Sequence, residues 1–413
     1  MRDVSKKEGK AHFRLNDKFK DQKEYLTVFD DGAAKKVTSS FYRGETVNFH
    51  PQLEDYSSDT FLERYLLKGW MPPEPILTKG MKITAFGSCF ASNITKYLSS
   101  IGYNLSSNRD PDIYISRMGD GLVNSHSILG QFEWALENKK QPEDMWHGFK
   151  AEGFGYDEDI RLRTRDIFMQ TEFFIITIGI SEIWYDEPTG GVFWRAVPMD
   201  RFDATRHKFR VSSVDETKAN IAEIYRLIRK HAPDAKVLFT LSPIPAAATF
   251  RGVSCITAST VSKAIIRSAM DEYVRSMPEE FNKSLFYFPA YEMLMNAFIN
   301  PWREDVRHPR AYVIESIMKS FEAVYCINDT TLADANAKLQ EARGENLKDI
   351  MRQEKKRRQA EVGDAAADQE RADRKAAKKA AKIATKKSDT KEVVSEEARA
   401  AKRAMRKAEK QAA

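Results

Sequence analysis

The sequence alternates short apolar segments with amphipathic ones, and this alternation constrains the fold more than any other feature. Strands are predicted where apolar residues run together, at residues 82–86, 173–179, 236–241 and 285–288. Helices are predicted between and after them, at residues 92–101, 125–138, 215–231, 256–277 and 309–325. Such a pattern is typical of a parallel sheet covered by helices on both faces. We therefore expect an α/β three-layer sandwich with a central, mostly parallel sheet.

The character of the sequence changes on both sides of this pattern, which predicts three regions. Residues 1–40 form a polar leader. Residues 41–330 form the main domain, and its first part, residues 41–80, is an N-terminal extension. That extension ends in Met71-Pro72-Pro73-Glu74-Pro75, a proline cluster that interrupts regular structure and marks the entry to the sheet. Residues 331–413 form a charged tail rich in Ala, Lys, Arg and Glu.

The tail differs chemically from the rest of the chain. Residues 341–413 contain 22 Lys and Arg against 14 Asp and Glu, and no aromatic residue follows Tyr325. The segment favours helix, but apolar residues at heptad spacing are almost absent, so it predicts a solvated helix or a disordered tail. The alternative is a weak contact of residues 341–413 with a polyanion, either nucleic acid or anionic lipid. No aromatic side chain is available in the tail for base stacking, which argues against specific recognition of nucleic acid.

Composition and motifs also limit the chemistry and the location. Cys89, Cys255 and Cys326 are too few and too scattered for a disulfide framework or a metal cluster. The chain has no phosphate-binding glycine motif and no Cys/His pair at metal-ligand spacing, so we expect no cofactor and no metal. The first residues lack the apolar stretch of a secretory signal, and the apolar run at residues 173–180 is too short to span a bilayer. These features predict a cytoplasmic protein without a transmembrane segment.

Two motifs suggest a catalytic site. Gly87-Ser88-Cys89 follows the first predicted strand and opens a helix, so Ser88 lies on a turn where backbone N–H groups point outward. This geometry suits attack on an ester carbonyl and stabilisation of the resulting oxyanion. The alternative is a tight turn with a capping hydroxyl. Asp305 and His308 stand three residues apart before another helix, where an acid can orient the imidazole that activates a serine.

These motifs resemble those of a known family. The segment from Thr84 to Ala91 is similar to the signature of the GSCFA-domain proteins, a branch similar to the SGNH (GDSL-type) hydrolases. Residues 177–184, 241–243 and 287–292 also fit, and Asp305-x-x-His308-Pro309 resembles the C-terminal catalytic block of the family. The resemblance covers about residues 40–326. It implies an SGNH-like, flavodoxin-like fold and a catalytic triad of Ser88, His308 and Asp305.

Several residues are candidate hydrogen-bond donors for the oxyanion hole. The backbone N–H groups of Ser88 and Cys89 are the first candidate donors. Asn124 can add an amide, although its position equally suits a helix N-cap. Typical SGNH hydrolases have Gly-x-Asn-Asp where this chain has Gly179-Ile180-Ser181-Glu182, so the Ser181 hydroxyl is a candidate replacement for the missing asparagine.

Further roles are predicted for neighbouring residues. Gly179, Glu182 and Trp184 are candidate substrate contacts, and Glu182 can instead hold a loop. Cys89 competes with Ser88 as a nucleophile, because a helix N-terminus lowers the pKa of a thiol. The two side chains point in different directions, and the family resemblance favours Ser88. A buried small hydrophobe is the more common role for a free cysteine.

These residues predict a serine-dependent esterase that hydrolyses an acyl ester, for which an ester on a carbohydrate is a suitable substrate. The first alternative is an O-acyltransferase acting on a glycan or polysaccharide precursor, in which a sugar hydroxyl replaces water. The second alternative is a non-catalytic binding protein that is anchored by its basic tail. The sequence does not separate hydrolysis from transfer, because both need only Ser88, Asp305 and His308.

Overall fold

The structure is a computed structural model of the 413-residue chain. It describes residues 14–15, 25–30, 33–38, 48, 50–87, 89–106, 123–140, 157–194, 196–197 and 199–411, and structural statements refer to these residues. The chain divides into two compact units, of which the first ends at Asn346 and the second begins at Leu347. The predicted domain ended near residue 330, so the compact part of the chain continues further than expected.

A small antiparallel sheet lies within the region predicted to be a polar leader. Its strands are β1 (Arg14–Leu15), β2 (Tyr25–Asp30) and β3 (Ala33–Thr38), in that spatial order. The sequence of β2, YLTVFD, is rich in the aromatic and β-branched residues that favour strands. The surrounding residues are mainly polar, so the composition of residues 1–40 did not predict these strands.

The central sheet is parallel throughout its described strands. In chain order these strands are β4 (Lys82–Phe86), β5 (Asn104–Leu105), β6 (Phe173–Ile178), β9 (Lys236–Leu241) and β10 (Leu285–Tyr287). Their spatial order is β10-β9-β6-β4-β5, and every neighbouring pair is parallel. Ranked along the chain, this is the order 2-1-3-4-5 of flavodoxin-like folds. The predicted α/β architecture is therefore confirmed.

A separate two-stranded sheet, a 3-10 helix (Asp55–Ser57), a π-helix (Leu62–Leu66) and eight α-helices complete the described elements. The small sheet pairs β7 (Glu182–Asp186) antiparallel with β8 (His207–Val211). The helices are α1 (Cys89–Ser100), α2 (Ser125–Glu137), α3 (Glu158–Gln170), α4 (Val214–His231), α5 (Cys255–Ser276), α6 (Ala290–Ala297), α7 (Ala311–Tyr325) and α8 (Leu332–Gln411). All five helices predicted from sequence are present, and each ends within three residues of its expected position.

The strands bury both of their faces, which explains their continuous apolar sequences. In β6 every residue is buried. Phe174, Ile176 and Ile178 face a core that also contains side chains of α2, α3, α4 and α5. Phe173 and Ile175 face the opposite core, together with side chains of α1, α6 and α7. The sheet is thus the middle layer of a three-layer sandwich.

The first turns of α8 belong to the sandwich rather than to the tail. Ala335, Leu339 and Ala342 are buried among the residues that pack against α1 and α7. The Asn336 side chain accepts a hydrogen bond from the backbone N–H of Leu62 at 3.2 Å and donates one to a backbone carbonyl of the extension. These contacts tie the start of α8 to the N-terminal extension, and they explain why the compact unit reaches Asn346.

The second unit, from Leu347 onward, is helical to Gln411. Its side chains are described at residues 347–359, 373–379 and 399–404, and all of them are exposed except the partly buried Asp349, Ile350 and Glu354. Glu354 pairs with Arg357 and Arg358 on the next turn of the helix, an arrangement that supports helices without a core. The helical alternative for the tail is therefore the observed one. Among the described residues, no helix combines the length and apolar character needed to cross a membrane.

Truncation of the chain within α8 tests where the first compact unit ends. A chain ending at Asn346 should unfold at the urea midpoint of the full chain, because it keeps the buried side chains of α8. A chain ending at Thr330 loses Ala335, Leu339 and Ala342, and we expect a loss of about 3–5 kcal/mol in the free energy of unfolding. Equal stability of the two truncated chains would contradict this assignment.

Candidate active site

The predicted strand-to-helix turn is present between β4 and α1. β4 ends at Phe86 and α1 begins at Cys89, and the intervening Ser88 lies outside the described residues. Gly87 has φ +130°, a conformation that L side chains rarely adopt. A Cβ atom at this position would lie 2.0 Å from the carbonyl oxygen of Thr177. Glycine is required at this position, both for its backbone conformation and for the close approach of β6.

A second turn follows β6 on the same edge of the sheet. The backbone N–H groups of Gly179 and Ile180 both donate to the carbonyl of Val123, at 2.7 and 3.1 Å. The Gly179 carbonyl accepts a hydrogen bond of 2.7 Å from the Lys263 amine. β4 and β6 are neighbours at the point where the strand order reverses, which is where flavodoxin-like sheets bind ligands. The turns that follow both strands therefore flank the expected binding crevice.

Asp305 and His308 form a hydrogen-bonded pair before α7. The distance from Asp305 Oδ2 to His308 Nδ1 is 2.5 Å. Asp305 Oδ1 also accepts from the backbone N–H groups of His308 and Arg307, at 2.9 and 3.0 Å. The bond to the His308 ring, followed by these backbone bonds, holds the pKa of Asp305 well below its usual range. Asp305 is therefore a carboxylate at neutral pH. The His308 side chain is 38% exposed, so small molecules can reach the ring.

The loop that bears this pair is fixed to the carboxyl end of β9. The Arg307 guanidinium donates to the carbonyl of Pro245, at 3.3 and 3.4 Å, and Pro245 lies in the segment after β9. Val306 has φ +56°, which is uncommon and strained for a β-branched residue. The backbone N–H of Arg303 donates to the His308 carbonyl at 2.8 Å and closes the loop. Local hydrogen bonds thus hold a strained backbone that presents the imidazole at the sheet edge.

Asn124 is buried and caps α2. Its side-chain oxygen accepts a hydrogen bond from the backbone N–H of Ser127 at 2.9 Å, and its amide donates to the Trp194 carbonyl at 3.2 Å. The helix-cap alternative for this residue is therefore present in the structure. A role for Asn124 in an oxyanion hole stays a prediction.

Ser181 is also buried and bonded within the protein. Its backbone N–H and its hydroxyl both donate to the Ser262 hydroxyl, at 2.6 and 3.1 Å. A role for the Ser181 hydroxyl in place of the SGNH asparagine stays a prediction.

Cys89 lies at the first position of α1, where backbone N–H groups have no acceptor within the helix. The Cys89 side chain is exposed and its thiol is free.

Glu182 and Trp184 lie on β7 and contact the segment that follows β9. The Glu182 carboxylate accepts a hydrogen bond from the Thr249 hydroxyl at 2.9 Å, so it holds this loop. Trp184 packs edge-to-face against Phe250 and Phe202, with ring centroids 4.8 and 5.7 Å apart. Both phenylalanine side chains are about half exposed. Of these rings, Phe250 lies on the loop after β9, and the Pro245 carbonyl of the same loop accepts the hydrogen bonds from Arg307. Among the described residues, no group of three or more His, Cys, Asp or Glu side chains could hold a metal ion.

Lys263 is the residue that the sequence analysis missed. It lies on α5, is only 4% exposed, and donates to Gly179 at the carboxyl end of β6. Desolvation lowers the pKa of its amine to about 7. A lysine within a long helix is usually a surface residue. The signal that could have found it is its spacing, because residues 259, 262, 263, 266, 269 and 270 recur at the buried face of α5.

The sequence matches one known protein family. Residues 82–321, more than half of the chain, match the sequence profile described as the GSCFA family. The matched segment begins at the first residue of β4 and ends within α7, so it includes Ser88, Gly179, Asp305 and His308. No curated protein is significantly similar to the chain.

Gly87→Ala tests the close approach of the two strands. We expect the free energy of unfolding in urea to fall by at least about 2 kcal/mol, because the new Cβ meets the Thr177 backbone and the backbone conformation disfavours alanine. Gly80→Ala is the matched control, since a Cβ there would have no neighbour within 4 Å. Equal stability of the two variants would refute the steric argument.

Lys263→Met tests the burial of the amine through the pH dependence of stability. Between about pH 7 and 10 the unfolded chain holds a proton on Lys263 that the folded chain has lost, so raising the pH stabilises the folded wild type. Relative to the variant, the wild type should gain roughly 3–5 kcal/mol over the full window. Urea unfolding at pH 7 and pH 9.5 measures the difference, and parallel pH profiles would contradict the burial.

Proposed function

This chain belongs to the GSCFA family, and we propose that it is a serine-dependent esterase that hydrolyses an acyl ester through Ser88, His308 and Asp305. The observation that carries the proposal is the Asp305–His308 pair, held by hydrogen bonds at the edge of the sheet where the Gly87 turn also lies. The strand order supports the similarity to SGNH hydrolases that the motifs suggest. The identity of Ser88 as the nucleophile is part of the proposal.

The proposed mechanism assigns one task to each residue. Asp305 accepts a hydrogen bond from the Nδ1–H group of His308, which leaves Nε2 as the base that removes the Ser88 proton. The serine oxygen attacks the ester carbonyl, and the backbone N–H groups of Ser88 and Cys89 stabilise the oxyanion. Protonated His308 then donates its proton to the departing alcohol. Water, activated by the same imidazole, releases the acid and restores the serine. Asn124 and Ser181 are proposed to support this oxyanion hole.

The proposed substrate is an acyl ester on a carbohydrate. The aromatic rings around Trp184 are the supporting observation, because exposed rings offer flat apolar faces to sugars. Gly179 and Glu182 are the other proposed substrate contacts. An O-acyltransferase that acts on a glycan or polysaccharide precursor would use the same residues, with a sugar hydroxyl in place of water. Acetyl transfer is the simplest case. The two activities differ in whether the acyl-enzyme reacts with the sugar acceptor or with water.

The tail is proposed to make a weak contact with a polyanion, either nucleic acid or anionic lipid. Residues 374–387 contain seven Lys and Arg and no acidic residue, and the described side chains at 373–379 are exposed. A non-catalytic protein anchored by this tail is the remaining alternative. It predicts that deletion of residues 347–413, which spares the buried residues of α8, abolishes the biological effect and that Ser88→Ala does not. A reducing, cytoplasmic location is also proposed, and the three free cysteines are compatible with it.

Hydrolysis of 4-nitrophenyl acetate, with and without sugar acceptors, tests the proposal. We expect Ser88→Ala and His308→Ala to lower kcat by at least about a thousandfold, and Asp305→Asn by at least about a hundredfold. Cys89→Ser is the matched control and should keep kcat within about threefold. Product analysis separates free acetate from acetylated sugar. Wild-type activity in Ser88→Ala would refute the assigned nucleophile.

A further inference from the structure

Two consecutive residues of α5 hold both ends of the turn after β6. Lys263 donates to the carbonyl of Gly179 at 2.7 Å, where the turn begins. The Ser262 hydroxyl accepts from the backbone N–H of Ser181 at 2.6 Å, where the turn ends. Both α5 side chains are less than 5% exposed. The turn from Gly179 to Ser181 is therefore held from α5 by two hydrogen bonds that are shielded from water.

The use of a lysine at this position needs an explanation. Among the described residues, no carboxylate lies within ion-pair distance of the Lys263 amine, which bonds a backbone carbonyl. Burial of an amine without a counter-charge destabilises a fold by several kcal/mol when the amine is charged. Holding one carbonyl does not require a charged group, since a hydroxyl or an amide also donates. A functional reason for keeping this destabilising amine is that the long, linear lysine side chain fixes the Gly179 carbonyl in a position on which the reaction depends.

The held turn is mechanically connected to the turn that follows β4. Thr177 lies two residues before Gly179, and its carbonyl oxygen occupies the space where a Cβ of residue 87 would lie. No free space separates the two backbones at this point, so a displacement of the β6 end moves Gly87 as well. Gly87 in turn precedes the proposed nucleophile. Close-packed contacts transmit small shifts of this kind.

We propose that Lys263 is a positioning residue, which fixes the Gly179–Ser181 turn and thereby the position of the serine on the adjacent turn. This inference rests on the proposed function, because it assumes that Ser88 is the nucleophile. Lys263 touches neither the serine nor the ester in this assignment, and its effect passes through backbone contacts. Displacement of a reacting group by about 1 Å can lower the rate of an enzymatic reaction by as much as a hundredfold.

The test compares Lys263→Met, Ser262→Ala and the double variant with the control Lys218→Met, whose lysine pairs with Glu272 on the protein surface. In 4-nitrophenyl acetate hydrolysis, Lys263→Met should lower kcat at least about tenfold with KM within about twofold. Its urea midpoint at pH 7 should be equal to or above that of the wild type, because an apolar side chain replaces a buried amine. The double variant should lose less than the product of the single losses.

Amide hydrogen exchange supplies a readout that needs no activity. Exchange in the peptide spanning residues 84–92 should be faster in Lys263→Met than in the wild type, and unchanged in Lys218→Met. Unchanged exchange there would overturn the inference, as would a Lys263→Met enzyme with wild-type kcat. A wild type without Ser88-dependent hydrolysis would instead refute the proposed function, and the exchange data would still decide whether Lys263 holds the turn.

Discussion

The contact between Gly87 and Thr177 is the constraint on which the rest of the site depends. β4 and β6 run side by side at the point where the strand order of the sheet reverses, and the chain leaves both strands at the same edge of the sheet. The β4 turn fits against β6 only because residue 87 has no side chain. Gly87 directly precedes the proposed nucleophile in the sequence, so this contact fixes the backbone that leads into it.

Other parts of the site are built onto this edge by hydrogen bonds to backbone carbonyls. Arg307 binds the carbonyl of Pro245 and brings the His308 loop to the end of β9. Lys263 binds the carbonyl of Gly179 at the end of β6. Each interaction joins a segment distant in sequence to the carboxyl end of a strand. The carboxyl edge of the parallel sheet therefore serves as the common frame of the candidate site.

The sequence predicts four of the five central strands, because these four are largely buried and read as apolar runs, whereas the two-residue β5 (Asn104–Leu105) carries no such signal. Lys82–Phe86 and Lys236–Leu241 have the predicted bounds, and the Asp305–His308 spacing anticipates a real hydrogen bond. Long-range contacts were not predictable in the same way. The burial of Lys263 and the packing of residues 332–346 depend on segments far away in the chain. Ser88 itself lies outside the described residues, so its role rests on the turn around it and on the family.

Covalent labelling with a fluorophosphonate, followed by intact-mass analysis and peptide mapping, tests directly whether His308 activates Ser88 as a nucleophile. We predict a single adduct on Ser88 in the wild type and in Cys89→Ser, with no adduct in Ser88→Ala and a much slower reaction in His308→Ala. An adduct on another residue, or none on the folded wild type, would contradict a histidine-activated serine at this turn.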